Sequence, residues 1–350
     1  MSTANPTVPV PLETALIGQV LDAGWTIRAL REEVSSGPIR IPTLSFLGTN
    51  GQDERALIRA LDLRLDPAAP DELKDLEMRL KVFNYQRELI ERLAGERLRG
   101  IVRGLHSGSI PFAAAPLGRI YYLIVEWSDD DLRSQVALHD EFDASYALRV
   151  LHQAAIALHE LHQRNVAHQS VRPANVVFFG SQVKLGEFSC AVDGRKPRPD
   201  GTPLLDWTSA PPESLYQAPI DSMNGRCLID LYQLGSLVAY LFSGTSLTTQ
   251  LAQRLQPIHH WRHWTGSFAE ALPYVNHAFG DALREMAAHL PEPCRDEFLA
   301  AMRELCAPDP AHRGHPHNRA GHGPQYSTER YISLFDRLAT RLEQGLPRRL

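Results

Sequence analysis

The sequence predicts an α+β fold, with a strand-rich first part and a mostly helical second part. Short apolar runs alternate with turn residues from Trp25 to Leu63, a spacing typical of an antiparallel meander. Farther along, apolar residues recur at three- and four-residue steps, which indicates amphipathic helices. At 350 residues and 43% hydrophobic, the chain has room for one large domain or two closely packed lobes.

Composition argues against several classes of protein. A net charge of -5 gives no electrostatic reason to expect nucleic acid as a partner. The residues from Met1 to Leu21 contain no Lys or Arg, and the chain has no apolar run of about 18 residues, so neither secretion nor a membrane span is expected. The four cysteines are scattered and form no C-x-x-C pair, which favours reduced, buried thiols and a cytoplasmic protein.

The first part of the chain is expected to form strands after a lead-in. Residues 1–24 contain several prolines, and we predict a flexible or loosely docked segment there. Strands are expected at three apolar runs: Trp25–Ile27, Leu44–Leu47 and Ala56–Ile58. A further buried strand is predicted at Tyr121–Trp127, where the apolar run ends in an acid and an aromatic residue. The acidic run Asp129–Asp131 is expected to be a solvated turn.

A helix is predicted from Asp71 to Leu93, because apolar residues recur there with helical spacing. The inward stripe of this helix points to Gln86 or Arg87 and leaves Glu88 toward the flank. We therefore expect Gln86 to face inward and Glu88 to be an exposed carboxylate. The competing register would exchange these two positions.

Two later stretches also show helical periodicity. One runs from Asp143, as the N-cap, to Gln163. The other closes the chain within residues 323–350, with Ser327 as its cap and a stop at Gly345 and Pro347. The apolar face of this last helix is expected to pack on the body of the protein or to receive a partner.

Histidines cluster in three places. His152, His159 and His162 lie on one predicted helix, His259–His263 lies in a basic aromatic stretch, and a third group spans His312–His322. The third group matches no standard metal-site spacing, and histidines on a helix are more often surface or core-edge residues. The aromatic stretch is a lone basic patch in an acidic chain, which argues against nucleic acid. We expect solvated or packed histidines in all three places.

The stretch from Val166 to Val177 resembles the catalytic loop of the protein kinase family, H-R-D-L-x-x-x-N. Four residues stand at the positions of H, R, D and N: His168, Gln169, Ser170 and Asn175. In the family, the Asp orients the attacking hydroxyl and accepts its proton, and the Asn holds Mg²⁺. Ser170 has no charge and no useful basicity near pH 7. The degenerate loop, which also includes Arg172, therefore has no intact catalytic group.

A second stretch resembles the D-F-G element of kinases, with Glu187, Phe188 and Ser189 at its three positions. Glu187 keeps a carboxylate on a longer arm, so the resemblance implies a tentative Mg²⁺ site formed by Glu187 and Asn175. Ser189 restricts the backbone at a position where the family has glycine. Gln169, at the Arg position, removes the usual grip on a phosphorylated activation segment.

Three residues resemble structural positions of the kinase large lobe. Glu213 ends Ala210-Pro-Pro-Glu, which stands for A-P-E, and Asp230 opens a run that resembles the buried central helix. The resemblance implies that Asp230 bonds the backbone of the catalytic loop and that Arg313 pairs with Glu213. Phe188 is the fourth structural residue of this set. Thr202 and Thr208, between these elements, are weak candidates for phosphorylation switches.

The strand-rich part resembles a kinase small lobe more loosely. The phosphate-covering loop would be Ser35–Ser45, which has one glycine, and its prolines each remove a backbone donor. Arg59 stands where the family has its phosphate-gripping Lys, and Gln86 stands where it has the partner Glu. Val125 would back a tentative nucleotide cleft, and Glu126 would offer backbone hydrogen bonds to adenine.

The resemblance implies a two-lobed protein kinase-like fold in a degenerate member of the bacterial Ser/Thr type. The expected divisions are a lead-in over 1–24, a small lobe over 25–126, a large lobe over 127–322 and a C-terminal helix and tail over 323–350. The implied function is that of a pseudokinase, a regulatory or scaffolding module with weak or no phosphoryl transfer. Its partner would be a protein such as an active kinase or its substrate.

The alternative is an atypical active Ser/Thr protein kinase or another ATP-dependent transferase. That enzyme would use Asn175 and Glu187 to hold the metal. ATP and Mg²⁺ are the cofactors that the family implies, and here their binding is expected to be weakened. The nucleotide-binding residues would be Arg59, Gln86 and the strand end at Val125.

Overall fold

The computed structural model describes residues 11–31, 42–64, 71–113, 115, 117–138, 143–201 and 205–345. The chain is about 50% helix and 17% strand, and the α+β class that the sequence predicts is therefore confirmed. It divides into two compact units. The first comprises Met1–Arg97 and Arg103–Trp127, and the second comprises Leu98–Val102 and Ser128–Leu350.

The first unit is built on a five-stranded antiparallel sheet with strand order β1-β2-β3-β5-β4. Its strands are β1 (Thr26–Leu30), β2 (Thr43–Thr49), β3 (Arg55–Leu61), β4 (Gly104–Pro111) and β5 (Arg119–Glu126). The meander and the strand near Tyr121–Trp127 are thus confirmed. Along β3, buried side chains alternate with more exposed ones, as expected when one sheet face covers a core. Ile58 on β3 lies opposite Ile124 on β5, and both are fully buried.

Two helices complete the first unit, α1 (Leu12–Ala15) and α2 (Glu72–Gly95). The N-cap of α2 is Asp71, whose side chain accepts a hydrogen bond from the backbone N–H of Lys74. Gln86 lies on the buried face of this helix and Glu88 on its exposed face, as the apolar stripe predicts.

The expectation of a loosely docked lead-in is corrected for residues 11–24. Leu12, Leu16 and Leu21 are buried in the core of the first unit, together with Trp25 and Ile27. Leucines at these positions remove apolar surface from water, so this segment is held by the sheet. Pro6 and Pro9 lie outside the described residues.

The second unit is mostly helical. Its helices are α3 (Leu132–Leu138), α4 (Ala144–His162), α5 (Pro212–Leu215), α6 (Met223–Ser243), α7 (Leu247–Arg254), α8 (Phe268–His289), α9 (Arg295–Leu305), α10 (Pro316–Arg319) and α11 (Glu329–Glu343). Its short strands are β6 (Asp130–Asp131), β7 (Val166–Ala167), β8 (Val176–Phe179), β9 (Gln182–Leu185) and β10 (Val192–Asp193). One apolar core contains buried residues of α4, α6, α8, α9 and α11.

Helix α6 is buried along most of its length and packs against α4, α7, α8 and α9. The helix ends at Gly244, which adopts a left-handed conformation with φ of 73°. Gly235 allows α9 to approach closely, because a Cβ at this position would clash with the Sγ of Cys306. All four cysteines are reduced, and Cys227, Cys294 and Cys306 are buried.

The ends of three elements refine the sequence predictions. Asp143 caps α4 as predicted, with its carboxylate accepting the N–H of Ser145. Thr328, and not Ser327, precedes the first residue of α11, and its hydroxyl donates to the carbonyl of Ala155. Asp131 is buried and accepts the backbone N–H of Arg133, so it is no solvated turn residue.

The face of α11 is covered by the protein itself. Tyr331, Phe335 and Leu338 are buried, and the helix packs along α4. Arg149 of α4 bonds the carboxylates of Asp336 and Glu343 on α11. Of the two alternatives for this helix, packing on the body is the one observed.

Among the described helices, none alone has both the length and the apolar composition needed to cross a bilayer. One bent pair, α6 with α7, meets the criteria of length and composition together, at an angle of 81°.

Candidate functional site

The candidate site is the loop between β7 and β8 in the second unit. Strand β7 pairs with β10, and a 3-10 turn at Pro173–Asn175 leads into β8. Proline suits the first position of this turn, because its fixed φ is already helical and its missing N–H would have no partner there. The two short strands therefore fix both ends of the loop.

Asp230 on α6 holds the backbone of the loop through hydrogen bonds. Its carboxylate is fully buried and accepts the backbone N–H of His168 at 2.8 Å and that of Gln169 at 2.6 Å. The Nε2 of His162 lies 2.8 Å from the same carboxylate. Gln169 has a φ of +63°, which non-glycine residues seldom adopt. The charge-assisted bonds that Asp230 accepts stabilise this strained backbone.

Gln233, one turn further along α6, continues the same support. Its Oε1 accepts the N–H of Val171 at 2.8 Å, and its Nε2 donates to the carbonyl of Gln169 at 3.2 Å. The side chain of Gln169 donates to the carbonyl of Arg226 at 2.7 Å. The residue at the Arg position of the motif therefore bonds α6.

His168 has a structural role in this loop. Its Nε2 lies 3.0 Å from the carbonyl of Gly186, and its Nδ1 accepts the N–H of Ser170 at 3.3 Å. A neutral ring protonated at Nε2 satisfies both contacts. Burial lowers the pKa of His168 below its ordinary value, which agrees with the neutral form. The ring also packs against Phe188, with centroids 5.1 Å apart.

Ser170 and Asn175 are locked together. The Nδ2 of Asn175 donates to both the carbonyl and the Oγ of Ser170, each at 2.8 Å. The carbonyl of Asn175 accepts the N–H of Gly186 at 2.8 Å. The position that would need a general base is thus occupied by a neutral hydroxyl engaged by a neighbouring amide.

Glu187 follows Gly186 and lies close to the loop through that backbone bond. It has a φ of +65°, and its Oε1 accepts the N–H of Ser189 at 3.1 Å. Its carboxylate is therefore engaged by its own turn. Among the described residues, no group of three or more His, Cys, Asp or Glu side chains is placed to hold a metal ion.

The segment after Ser189 is held by an ion pair that the sequence reasoning missed. Arg198 is buried and donates to the carbonyls of Ser189 and Ala191, each at 2.9 Å. It also forms two bonds of 2.9 Å to the carboxylate of Asp200. Neither residue stands in a periodic pattern or a known motif, so no local sequence signal identifies the pair.

Arg172 of the loop is paired with Asp206, which sequence reasoning also missed. The Nη1 of Arg172 lies 2.6 Å from Oδ2 of Asp206. The other carboxylate oxygen of Asp206 accepts both the N–H and the hydroxyl of Thr208. The hydroxyl of Thr208 is therefore engaged in a turn, and Thr202 lies outside the described residues.

Glu213 and Arg313 form the contact that the resemblance implies. Arg313 donates from Nη1 to Oε1 at 2.6 Å and from Nη2 to Oε2 at 2.9 Å, and both side chains are buried. Arg313 also donates to the carbonyls of Leu228 and Ala307. A buried bidentate pair of this kind holds together two parts of the unit that are 100 residues apart in the sequence.

The predicted nucleotide-binding residues belong to the first unit. Arg59 lies on β3, with Leu123 of β5 opposite it in the sheet. Val125 and Glu126 end β5, where the N–H of Glu126 donates to the carbonyl of Arg103 at 3.0 Å. That N–H is bonded within the first unit, and the expectation of adenine contacts at Glu126 stays a prediction.

The histidines of α4 point to different partners. The Nδ1 of His152 lies 3.0 Å from the carbonyl of Ile332, whereas His162 contacts Asp230. In the late loop, the rings of His317 and His322 stack with centroids 4.4 Å apart. These contacts agree with packed and solvated histidines.

In comparisons with known proteins, no family model matches the chain and no curated protein gives a significant match.

Proposed function

We propose that this chain is a pseudokinase: a two-lobed protein kinase-like fold that acts as a regulatory or scaffolding module and has weak or no phosphoryl transfer. The observation that carries the proposal is Ser170. It occupies the position of the general base, in a loop whose backbone is held by Asp230 and Gln233. Loss of a general base typically lowers the rate by ~10²–10⁴-fold.

The neighbouring carboxylates support the same proposal. Asp206 is bonded to Arg172, Asp230 to the backbone of the loop, and Glu187 to the N–H of Ser189. Each of these acids already has a bonding partner. None of the three is therefore poised to replace the missing Asp at Ser170.

The metal that the kinase family implies would be held here by Asn175 and Glu187. Mg²⁺ requires near-octahedral oxygen ligands at short distances. Asn175 turns its amide nitrogen toward Ser170, so its Oδ1 would be the ligand atom, and Glu187 has one oxygen on its own turn. We assign no reaction step to a metal ion or to ATP at this site.

The proposal predicts no transfer from ATP labelled at the γ-phosphate. Three samples are compared: the wild-type chain, Asn175→Ala and Glu187→Gln. Each is incubated with labelled ATP and Mg²⁺, alone and with a general protein substrate. Label at background in all three samples supports the pseudokinase. Label that wild type incorporates and both variants lose would overturn it. Glu187→Gln keeps the side-chain shape, which protects the test if Asn175→Ala unfolds.

One observation favours the second candidate, an atypical ATP-dependent transferase. Glu187 carries a carboxylate at the acidic position of the motif, and its backbone is strained, with φ of +65°. Such strain is concentrated at functional sites. This candidate predicts that millimolar ATP with Mg²⁺ raises the melting temperature, because a ligand that binds only the folded state stabilises it. An unchanged melting temperature in wild type would eliminate this candidate.

A further inference from the structure

The second unit carries an exposed aromatic patch, which we define as Trp207, Ile258, His259, Arg262 and Tyr274. The Cζ of Arg262 lies 5.3 Å from the ring centroid of Trp207. The ring of His259 stacks on Tyr274 with centroids 3.5 Å apart. The segment 258–262 thus joins the two exposed aromatic rings into one surface.

This patch holds the exposed large apolar side chains of the second unit. In the described part of that unit, three such side chains are exposed: Trp207 at 42%, Ile258 at 70% and Tyr274 at 43%. Scattered exposed apolar residues are ordinary, but contiguous ones mark interaction sites. Trp and Tyr are also the residues most enriched at interface hot spots.

The patch rests on a rigid base. Tyr216 donates its hydroxyl to the carbonyl of His259 at 2.6 Å, and its ring contacts Trp261, Trp264 and Phe268. The indole of Trp264 donates to the carbonyl of Ser267 at 3.0 Å. A surface that is already ordered loses little conformational entropy on binding.

The exposed positive charge of the patch indicates the charge of the partner that it would bind. Arg262 is exposed and always protonated, and it borders Trp207. The nearby acid Glu270 is occupied by the N-terminal cap of α8, where it accepts bonds from Ser267. The surface therefore combines aromatic and apolar side chains with an exposed cation that lies over Trp207.

We propose that the aromatic patch binds an acidic protein segment that inserts an apolar or aromatic side chain between Trp207 and Tyr274. This inference rests on the proposed function and names the surface through which the module binds a protein. Nucleic acid is a poorer match, because phosphate binding needs several cations and the patch as defined contains one arginine.

The patch is connected to the candidate site by the chain itself. Trp207 follows Asp206, which is bonded to Arg172 of the loop. Thr208, the next residue, accepts a hydrogen bond from the hydroxyl of Ser246 on its carbonyl. A segment bound at Trp207 would therefore lie beside the residues that hold Arg172.

In the test, peptides that bind the full chain are selected from a random library displayed on phage. Fluorescence anisotropy then measures the affinity of a synthetic peptide that carries the enriched sequence. We expect enrichment of Asp and Glu around Trp, Phe or Leu. Trp207→Ala and Arg262→Glu should each weaken binding by about tenfold or more, as hot-spot residues do. The control is Leu73→Ala, which removes an exposed apolar side chain in the first unit and should leave affinity unchanged.

Several results would overturn the inference. They are enrichment of basic peptides, no enrichment at all, or equal binding by wild type and Trp207→Ala. A single-stranded oligonucleotide that binds wild type but not Arg262→Glu would assign the patch to a different partner class. Dimerisation in sedimentation runs that Trp207→Ala abolishes would make a second copy of the chain the occupant. Phosphoryl transfer by wild type would overturn the proposed function and leave peptide binding intact, so the two failures are distinguishable.

Discussion

Two regions of the second unit differ in what their polar groups do. One is the network that supports the loop at Ser170, and the other is the set of motif positions in that loop. In the supporting network, Asp230, Glu213 and Arg313 are buried charges. Asp230 and Arg313 each have several bonding partners within the second unit, and Glu213 accepts two bonds from Arg313. At the motif positions, the charge expected at Ser170 is replaced by a hydroxyl bonded to Asn175. The difference teaches that the buried charges of this unit serve its architecture, whereas the loop position that the proposed kinase resemblance would charge carries a neutral hydroxyl.

The largest expected effect is on the supporting network. Arg313→Ala leaves Glu213 buried without its partner, and the free energy of unfolding should fall by about 3–5 kcal/mol. Urea denaturation measures this change. The matched control is Arg284→Ala, which breaks an exposed ion pair with Asp281 and should cost less than about 1 kcal/mol. Equal effects of the two substitutions would show that the buried pair does not support the fold.

A second prediction concerns the segment from Ser189 to Asp200, which Arg198 holds in place. Arg198→Ala frees two carbonyls and leaves Asp200 without its bidentate partner. Local opening should become easier by about 1–3 kcal/mol, so amide exchange in this segment accelerates by about tenfold or more. Hydrogen exchange with mass spectrometry reads the effect, and Arg195→Ala, at an exposed position of the same segment, is the control. Unchanged exchange in Arg198→Ala would contradict the assigned role.

Much of this architecture was predictable because it is periodic. Helices α2 and α4 follow apolar patterns of helical period, and strand β5 follows a continuous apolar run. Helix α8 is not among the sequence predictions, although its apolar residues from Val275 to Met286 recur at helical spacing; Pro273 lies inside this helix.

The site was predictable only where a motif exists. Ser170 and Asn175 stand in a recognisable pattern, and so does Glu213 with Arg313. Arg172 and Asp206 are far apart in the sequence and meet only in the folded chain. Arg198 and Asp200 are close in sequence but lie in an irregular segment. Arg and Asp are also common on any protein surface. No period or spacing in the sequence distinguishes them from solvated charges.

The smallest predicted effect concerns pH. Burial lowers the pKa of His168 in the folded chain below its ordinary value of 6.5. As pH falls through that value, the unfolded chain binds a proton that the folded chain does not, so the free energy of unfolding decreases. His168→Gln should therefore lose less stability than wild type between about pH 7.5 and about pH 5.5 in urea titrations. The control is His289→Gln, at an exposed position, which should match wild type. An equal loss in His168→Gln and wild type would show that His168 does not titrate as described.

The central claim is the proposed one, that the chain has a protein kinase-like scaffold in which several parts of the transfer machinery have changed together. The measurement that tests it most directly is transfer of label from ATP by wild type and by Ser170→Asp, side by side, in samples shown to be folded. The account predicts background label in both, because a restored carboxylate does not correct Glu187 or the altered phosphate-binding positions. Transfer by wild type, or its appearance in Ser170→Asp alone, would contradict that claim.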